Sequence, residues 1–247
     1  MMNSCVYIPD SMAEDFADKL NLAGHLLFGN LEFDWSFAGR PFDQLSGDEN
    51  ERCRCLLLET NKKIVLLNCP VPPADQAAYR QILRQAYWLG VENICVPAAS
   101  AGDLEAIRNI SRMGRPYDIG IVIEPKGESE LGDVQALRSL FRALGNDTGL
   151  IFNPLTYVRQ QMHPFFHVFY QSNFKNQIRF LRVNDGLYHD GSPVGLTEGN
   201  AEIKELASIL LSRSFKGYFA LSPYLPDLTL PEYEALIGCF RHLLQTL

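Results

Sequence analysis

Four residues close apolar, strand-like runs of this chain: Glu124 in GIVIEP, Asn153 in GLIFNP, Arg182 in RFLRVND and Ser222 in YFALSP. They offer one carboxylate, one amide, one guanidinium and one hydroxyl. A hard divalent ion needs several carboxylate or carbonyl oxygens, or imidazoles. Arginine stays protonated and has no lone pair to give. A guanidinium beside a carboxylate does different chemistry, because its planar fork matches two carboxylate oxygens. The expectation is an Arg182–Glu124 ion pair with Asn153 hydrogen-bonded nearby and no metal ligands among the four. Glu124 and Arg182 are the catalytic candidates. Arg182 is also a candidate to grip a substrate carboxylate or phosphate.

Other polar residues could join them. In LEFDW, Glu32 and Asp34 alternate with Leu31, Phe33 and Trp35, so the two acids share one face of a strand. Asn68 closes the run KIVLLN and could hydrogen-bond a hydroxyl-rich ligand. Asp185, in RVND, could face a ligand or cap the next turn. His163 and His167 stand four apart in MHPFFHVF, a zinc spacing on a helix, but a third ligand and an HExxH motif are both missing. They are expected to pack, as are most of Phe165, Phe166, Phe169, Tyr170 and Phe174, with some of that patch left for the mouth or an oligomer interface. His189 and Glu198 lie in the polar stretch DGLYHDGSPVGLTEGN and are expected to be solvated. No GxSxG elbow appears, which disfavours a hydrolase triad.

These residues must be positioned by the elements around them. Eight short apolar runs, SCVYIPD, NLEFDWS, KIVLLNCPV, ENICVPA, DIGIVIEP, TGLIFNP, QIRFLRVND and KGYFALSP, alternate with amphipathic stretches along the chain. The runs are rich in Val, Ile, Leu and Phe and bounded by Gly, Pro, Asn or Asp, as buried parallel strands are. Apolar residues recur at helical spacing between them, for example Ala78, Ile82, Ala86 and Leu89, or Leu137, Leu140, Phe141 and Leu144. Asp75, Asp103 and Ser129 are expected at helix starts, and Gly90, Gly114 and Gly145 at helix ends. Eight βα units predict an α/β fold, a (β/α)₈ TIM barrel, as a single domain over residues 1–247. The first βα turn has no GxGxxG, which argues against a dinucleotide fold.

Composition agrees with such a barrel. The chain has 247 residues, 47% of them hydrophobic, and a formal net charge of −7. That acidity disfavours a nucleic-acid partner. Six cysteines are scattered without a CxxC pair, so inert, reduced thiols are expected. No signal-like start and no long apolar stretch is visible, so a cytoplasmic location without membrane attachment is expected.

In their order, the motifs LGVENICVPA, IVIEP, GLIFNP, RFLRVNDG, VGLTEGNAEI and KGYFALSP resemble the xylose isomerase-like TIM barrels, specifically the sugar phosphate isomerase/epimerase group. The resemblance runs from about the second strand to the eighth. It implies a site at the C-terminal mouth, with a divalent metal such as Mn or Mg held by Glu, Asp, His and Glu on strands five to eight. It also implies proton transfer by the two glutamates. Carried over position by position, those residues read Glu124, Asn153, Arg182 and Ser222. The expectation is therefore no cofactor and no metal-dependent proton transfer. A small sugar or sugar acid is expected at the mouth, in carbohydrate metabolism, held by Glu32, Asn68, Asn153, Asp185 and Ser222, with Trp35 or Tyr224 stacked on it. The alternative is a non-catalytic sensor or interaction protein on the same scaffold, so isomerase activity and the oligomeric state both stay open. A related AP-endonuclease activity is disfavoured by five histidines mostly away from strand ends.

Overall fold

Eight of the apolar runs become parallel strands: β1 (Ser4–Tyr7), β2 (Asn30–Phe33), β3 (Lys63–Asn68), β4 (Asn93–Cys95), β5 (Gly120–Ile123), β6 (Thr148–Phe152), β7 (Ile178–Arg182) and β8 (Tyr218–Leu221). In the computed structural model, which describes residues 3–37, 40–172 and 174–247, they close into a barrel in which each strand pairs with its sequence neighbours and β8 pairs back onto β1. Parallel pairing sends every C-terminal end to the same mouth. All five residues of β6 are buried, as are four of six in β3, which is why these runs are continuously apolar rather than alternating. Cys5, Leu66, Val122, Ile151, Phe180 and Ala220, drawn from separate strands, form a cluster of their own.

The helices are α1 (Phe16–His25), α2 (Gly47–Glu59), α3 (Gln76–Trp88), α4 (Leu104–Gly114), α5 (Val134–Leu144), α6 (Pro154–Val158), α7 (Ile203–Ser212) and α8 (Leu230–Gln245). Each longer helix buries one stripe. In α5 the stripe is Leu137, Leu140, Phe141 and Leu144, each worth about 2 kcal/mol of burial. Asp75 caps α3 through the Ala78 amide at 3.0 Å, and Asp103 forms a capping box with Ser100 just before α4. α5 is capped by Asp133 rather than Ser129, whose hydroxyl turns back to donate to the Lys126 carbonyl.

Gly114 ends α4, as expected, with ordinary helical φ, and the left-handed residue after it is Asp118. Glycine is required at 114 for room, because a Cβ there would sit 2.8 Å from the Ile119 carbonyl oxygen. The sixth helical stretch is not one helix. It breaks into short α6 and a π-helical segment over Pro164–Tyr170, because Pro164 lacks an N–H and holds His163 extended. A small antiparallel pair, Ser36–Phe37 with Arg40–Pro41, follows β2 and was not visible as a pattern. Among the described residues no helix is long and apolar enough to cross a membrane.

Candidate functional site

Arg182 is the last residue of β7, and its side chain points between two carboxylates from other strands. Its Nε donates to Glu124 Oε1 and Oε2 at 3.1 and 3.2 Å, and Nη2 donates to Glu124 Oε2 at 2.6 Å. On the other side Nη2 donates to Glu32 Oε1 at 2.9 Å and Nη1 donates to Glu32 Oε2. Glu124 follows β5 directly, and Glu32 lies in β2, so one guanidinium ties together three strands of the barrel. The Arg182 and Glu32 side chains are only 8% and 3% exposed. The expected Arg182–Glu124 pair is present, and Glu32 completes it as the second acid.

The pairing extends on both sides. Asn153, just after β6, donates to Glu124 Oε1 at 2.9 Å and accepts from the Asn184 amide at 2.9 Å. Asn184 in turn accepts from the Leu155 N–H at 3.2 Å, which fixes the start of α6. Asn68, the last residue of β3, donates to Glu32 Oε1 at 2.8 Å and to Asp34 Oδ1 at 3.1 Å. Asp34 also accepts from the Tyr7 hydroxyl at the end of β1. A continuous polar chain thus crosses the mouth from Tyr7 to Leu155. Tyr7 and Asn184 were not singled out in the sequence, since neither a strand-end tyrosine nor a lone asparagine announces a partner.

The charges set one another's protonation. Burial alone would raise the Glu124 pKa, but the Arg182 charge and hydrogen bonds, with help from Asn153 and Lys126, carry it below its usual value. Burial likewise works against a charged Arg182, and Glu124 and Glu32 more than reverse this, so the guanidinium is locked in its charged form. Cys95, at the end of β4, is pushed the other way. Burial and then the Glu124 charge raise its thiol far above the usual range, so it stays protonated despite lying at the mouth.

Above this floor opens a cavity of about 560 Å³. Of the predicted set, Asn68, Glu124, Asn153 and Arg182 line it, together with Asp34 and Trp35. Glu32 lies beneath them, hidden by Arg182 and Asn68. Lys126 and Arg159 also line the cavity, and sequence pattern gave no reason to choose either.

Other predicted residues fall elsewhere. Asp185 is 1% exposed and away from the cavity. Its carboxylate accepts from the N–H groups of Gly186, Thr197, Gly199 and Ala201, so it organises the loop after β7 instead of meeting a ligand. Ser222 follows β8 but makes no side-chain hydrogen bond among the described residues and does not line the cavity. Tyr224 donates to the Val194 carbonyl at 2.7 Å, outside the cavity. The His163 ring stacks on Tyr188 at 4.9 Å, and its backbone N–H donates to His167 Nδ1. His189 is exposed beside Asp190. Phe169 and Phe174 are core, whereas Phe166 and Tyr170 are 56% and 73% exposed.

No family model matches the chain, and no curated protein matches it by sequence. Solved structures do match it along its whole length. A xylose isomerase-like TIM barrel protein from Mycobacterium smegmatis, solved in complex with magnesium, superposes with a TM-score of 0.79 at 14% identity, covering 100% of this chain and 97% of that one. A xylose isomerase domain-containing protein from Salmonella typhimurium gives 0.75 at 17% identity, with 99% and 97% covered. Endonuclease IV from Thermus thermophilus gives 0.70 at 15% identity, with 99% and 100% covered. The fold is therefore that of the xylose isomerase-like, sugar phosphate isomerase/epimerase-like TIM barrels. Identities this low, on a scaffold shared with a nuclease, leave the activity to the site itself.

In this chain every oxygen of Glu32 and Glu124 already accepts from a guanidinium or amide N–H, and a fixed positive charge lies between the two carboxylates. Among the described residues no group of three or more His, Cys, Asp or Glu is arranged to hold a metal ion. The donor set at the mouth does not fit a divalent cation.

Proposed function

We propose that the chain binds a small polyhydroxylated metabolite, a sugar or sugar acid, at the C-terminal mouth of the barrel, without metal-dependent proton transfer. The observation that carries this reading is the Arg182 bridge between Glu32 and Glu124. It neutralises one of two carboxylates, the buried Glu32 and the half-buried Glu124, and leaves a floor of hydrogen-bonding groups under an open cavity. Epimerisation through paired glutamates needs a free base on each face of a carbon and a way to stabilise the enediolate. Here both acids are committed to a guanidinium, and the position after β8 carries a hydroxyl in place of a carboxylate.

Recognition needs less than catalysis. Asp34 and Asn68 present an exposed acceptor and an amide to ligand hydroxyls, Asn153 adds a second amide, and the half-buried indole of Trp35 supplies an apolar wall. The Trp35 Nε1 donates to Asp43 at 3.2 Å, which fixes the ring. A sensor or binding protein and a metal-free enzyme would share this mouth.

The test combines elemental analysis of the purified protein with a thermal-shift screen of sugars, sugar acids and sugar phosphates, with and without Mn²⁺. Stabilisation by members of that set, independent of Mn²⁺ and with substoichiometric bound metal, is the expected result. Stoichiometric metal with strictly Mn²⁺-dependent stabilisation would overturn it.

A further inference from the structure

The guanidinium expected to grip a ligand anion is not available for it, since the Nε and both Nη atoms of Arg182 are engaged by carboxylates. Two other cations line the same cavity. The Lys126 side chain, in the loop after β5, makes no hydrogen bond or ion pair among the described residues, and it lines the same cavity as Glu124. Arg159, just beyond α6, is held by its stem. Its Nε donates to the Gly191 carbonyl at 3.4 Å, and the Gly191 backbone lies so close that a Cβ there would come 2.9 Å from Arg159 Cγ. Gly191 has φ +72°, a left-handed conformation that also favours glycine. The loop after β7 therefore positions this arginine but leaves both Nη groups without a partner among the described residues.

We infer that Lys126 and Arg159 form an anion subsite for the phosphate or carboxylate of the ligand whose hydroxyls meet Asp34 and Asn68. The inference rests on the reading that a polyhydroxylated metabolite occupies the mouth, and it narrows that metabolite to an anionic one. The charge layout gives the ligand a direction. The floor carries two acids against one guanidinium, and Asp34 adds a further negative charge on the side of β2. An anionic head is repelled from there and drawn toward the side of β5 and α6. Glu128 also lines the cavity near Lys126, but forms an ion pair with neither cation. A planar fork held at its stem is suited to two oxygens of a phosphate or carboxylate, with the flexible ammonium as a second point charge. Both side chains are exposed, so replacing them leaves the core untouched.

The test is calorimetric titration of the whole chain with D-ribose, its terminal phosphate ester, D-ribonate and inorganic phosphate, repeated on Lys126→Ala and Arg159→Ala. Thermal unfolding of each variant confirms that it stays folded. The expected result is that an anionic pentose binds at least about ten-fold more tightly than ribose. Each substitution removes most of that gain while leaving ribose binding unchanged, and raising salt from about 50 to about 500 mM erodes the gain alone. Whether the phosphate ester or ribonate responds identifies the head group. If ribose binds and neither anion gains, or if the gain survives both substitutions, the subsite is wrong and the sugar reading stands. If inorganic phosphate binds in an Arg159-dependent way and no pentose does, the subsite stands and the sugar reading falls. Absence of binding by all four probes overturns both.

Discussion

Replacing Arg182 with methionine keeps an unbranched apolar stem and removes the charged guanidinium at its end. Glu32 and Glu124 then face each other with no cation between them, and Asn68 and Asn153 are the remaining donors to their oxygens. Arg182 holds Glu124 with contacts of 2.6–3.2 Å and Glu32 with a two-point fork, and is itself 7% exposed. Removing one partner of a buried pair costs about 3–5 kcal/mol, because the partner's charge is left uncompensated. Since domains are stable by only about 5–15 kcal/mol, a loss near 4 kcal/mol lowers Tm by about 8–16 °C for a chain of this size.

The loss carries a pH signature. In the wild type the Glu124 carboxyl sits below its usual value, so it contributes stability above the unfolded carboxylate range. That share is lost as the pH falls through the folded value. In the variant, Glu124 keeps burial's upward push without the guanidinium's opposition. The folded state then holds a proton that the unfolded state has released, and stability declines as the pH rises. The deficit relative to wild type therefore narrows between about pH 7.5 and pH 5.5. Urea unfolding at both values reads it. The triple variant Glu32→Gln, Glu124→Gln, Arg182→Met removes the stranded charges and recovers most of the loss. A deficit under about 1 kcal/mol at pH 7.5, or one indifferent to pH, would refute the account of the triad as a mutually dependent buried unit.

Further outcomes follow from the same geometry. Asp185→Ala strips four backbone N–H groups of their acceptor and should cost about 2–4 kcal/mol in urea unfolding, with faster proteolysis between 186 and 201; an unchanged cleavage pattern would contradict its role in ordering the loop. Gly199→Ala places a Cβ 2.4 Å from the Gly186 carbonyl oxygen, and the same proteolysis assay should show the same loop opening. Native thiol titration at about pH 8 should modify exposed Cys55 and Cys239 first and Cys95 slowly despite its place at the cavity, because its thiol stays protonated; labelling of Cys95 at the same rate would contradict that. The variant Asn153→Asp, Arg182→His, Ser222→Glu should take up Mn²⁺ in equilibrium dialysis more tightly than wild type, and equal uptake by both would show that Arg182 does not exclude the ion.

The barrel was legible because buried parallel strands leave a continuous apolar signature and their ends carry the polar residues. The Glu124–Arg182 contact was legible because opposite charges at strand ends that converge on one mouth of a closed barrel have few other partners. Glu32 was harder to place. Alternation put it on a face with Asp34, but only closure of the barrel brings β2 across to β7, residues 150 apart in the chain. Asp185 looked like a site residue because it follows Arg182 closely, yet the chain turns after β7 and the side chain serves the turn. Lys126 and Arg159 gave no signal, because a surface lysine and a surface arginine look alike whether or not they overhang a cavity. The break between α6 and Pro164–Tyr170 was readable in Pro164, but the aromatic run around it also suits a continuous amphipathic helix.

A cation tethered by its own backbone behaves differently from one in exchange with solvent. A bound ion stabilises a fold by mass action, so the stability it lends depends on its free concentration and disappears under chelation. The Arg182 guanidinium is delivered to Glu32 and Glu124 by β7 itself, at an effective concentration that no buffer sets. Closing this end of the barrel is therefore a unimolecular event, completed by folding rather than by a later encounter. The two carboxylates are compensated as soon as the chain folds, and the expected outcome is that a chelator or added Mn²⁺ leaves Tm unchanged in a thermal-shift scan.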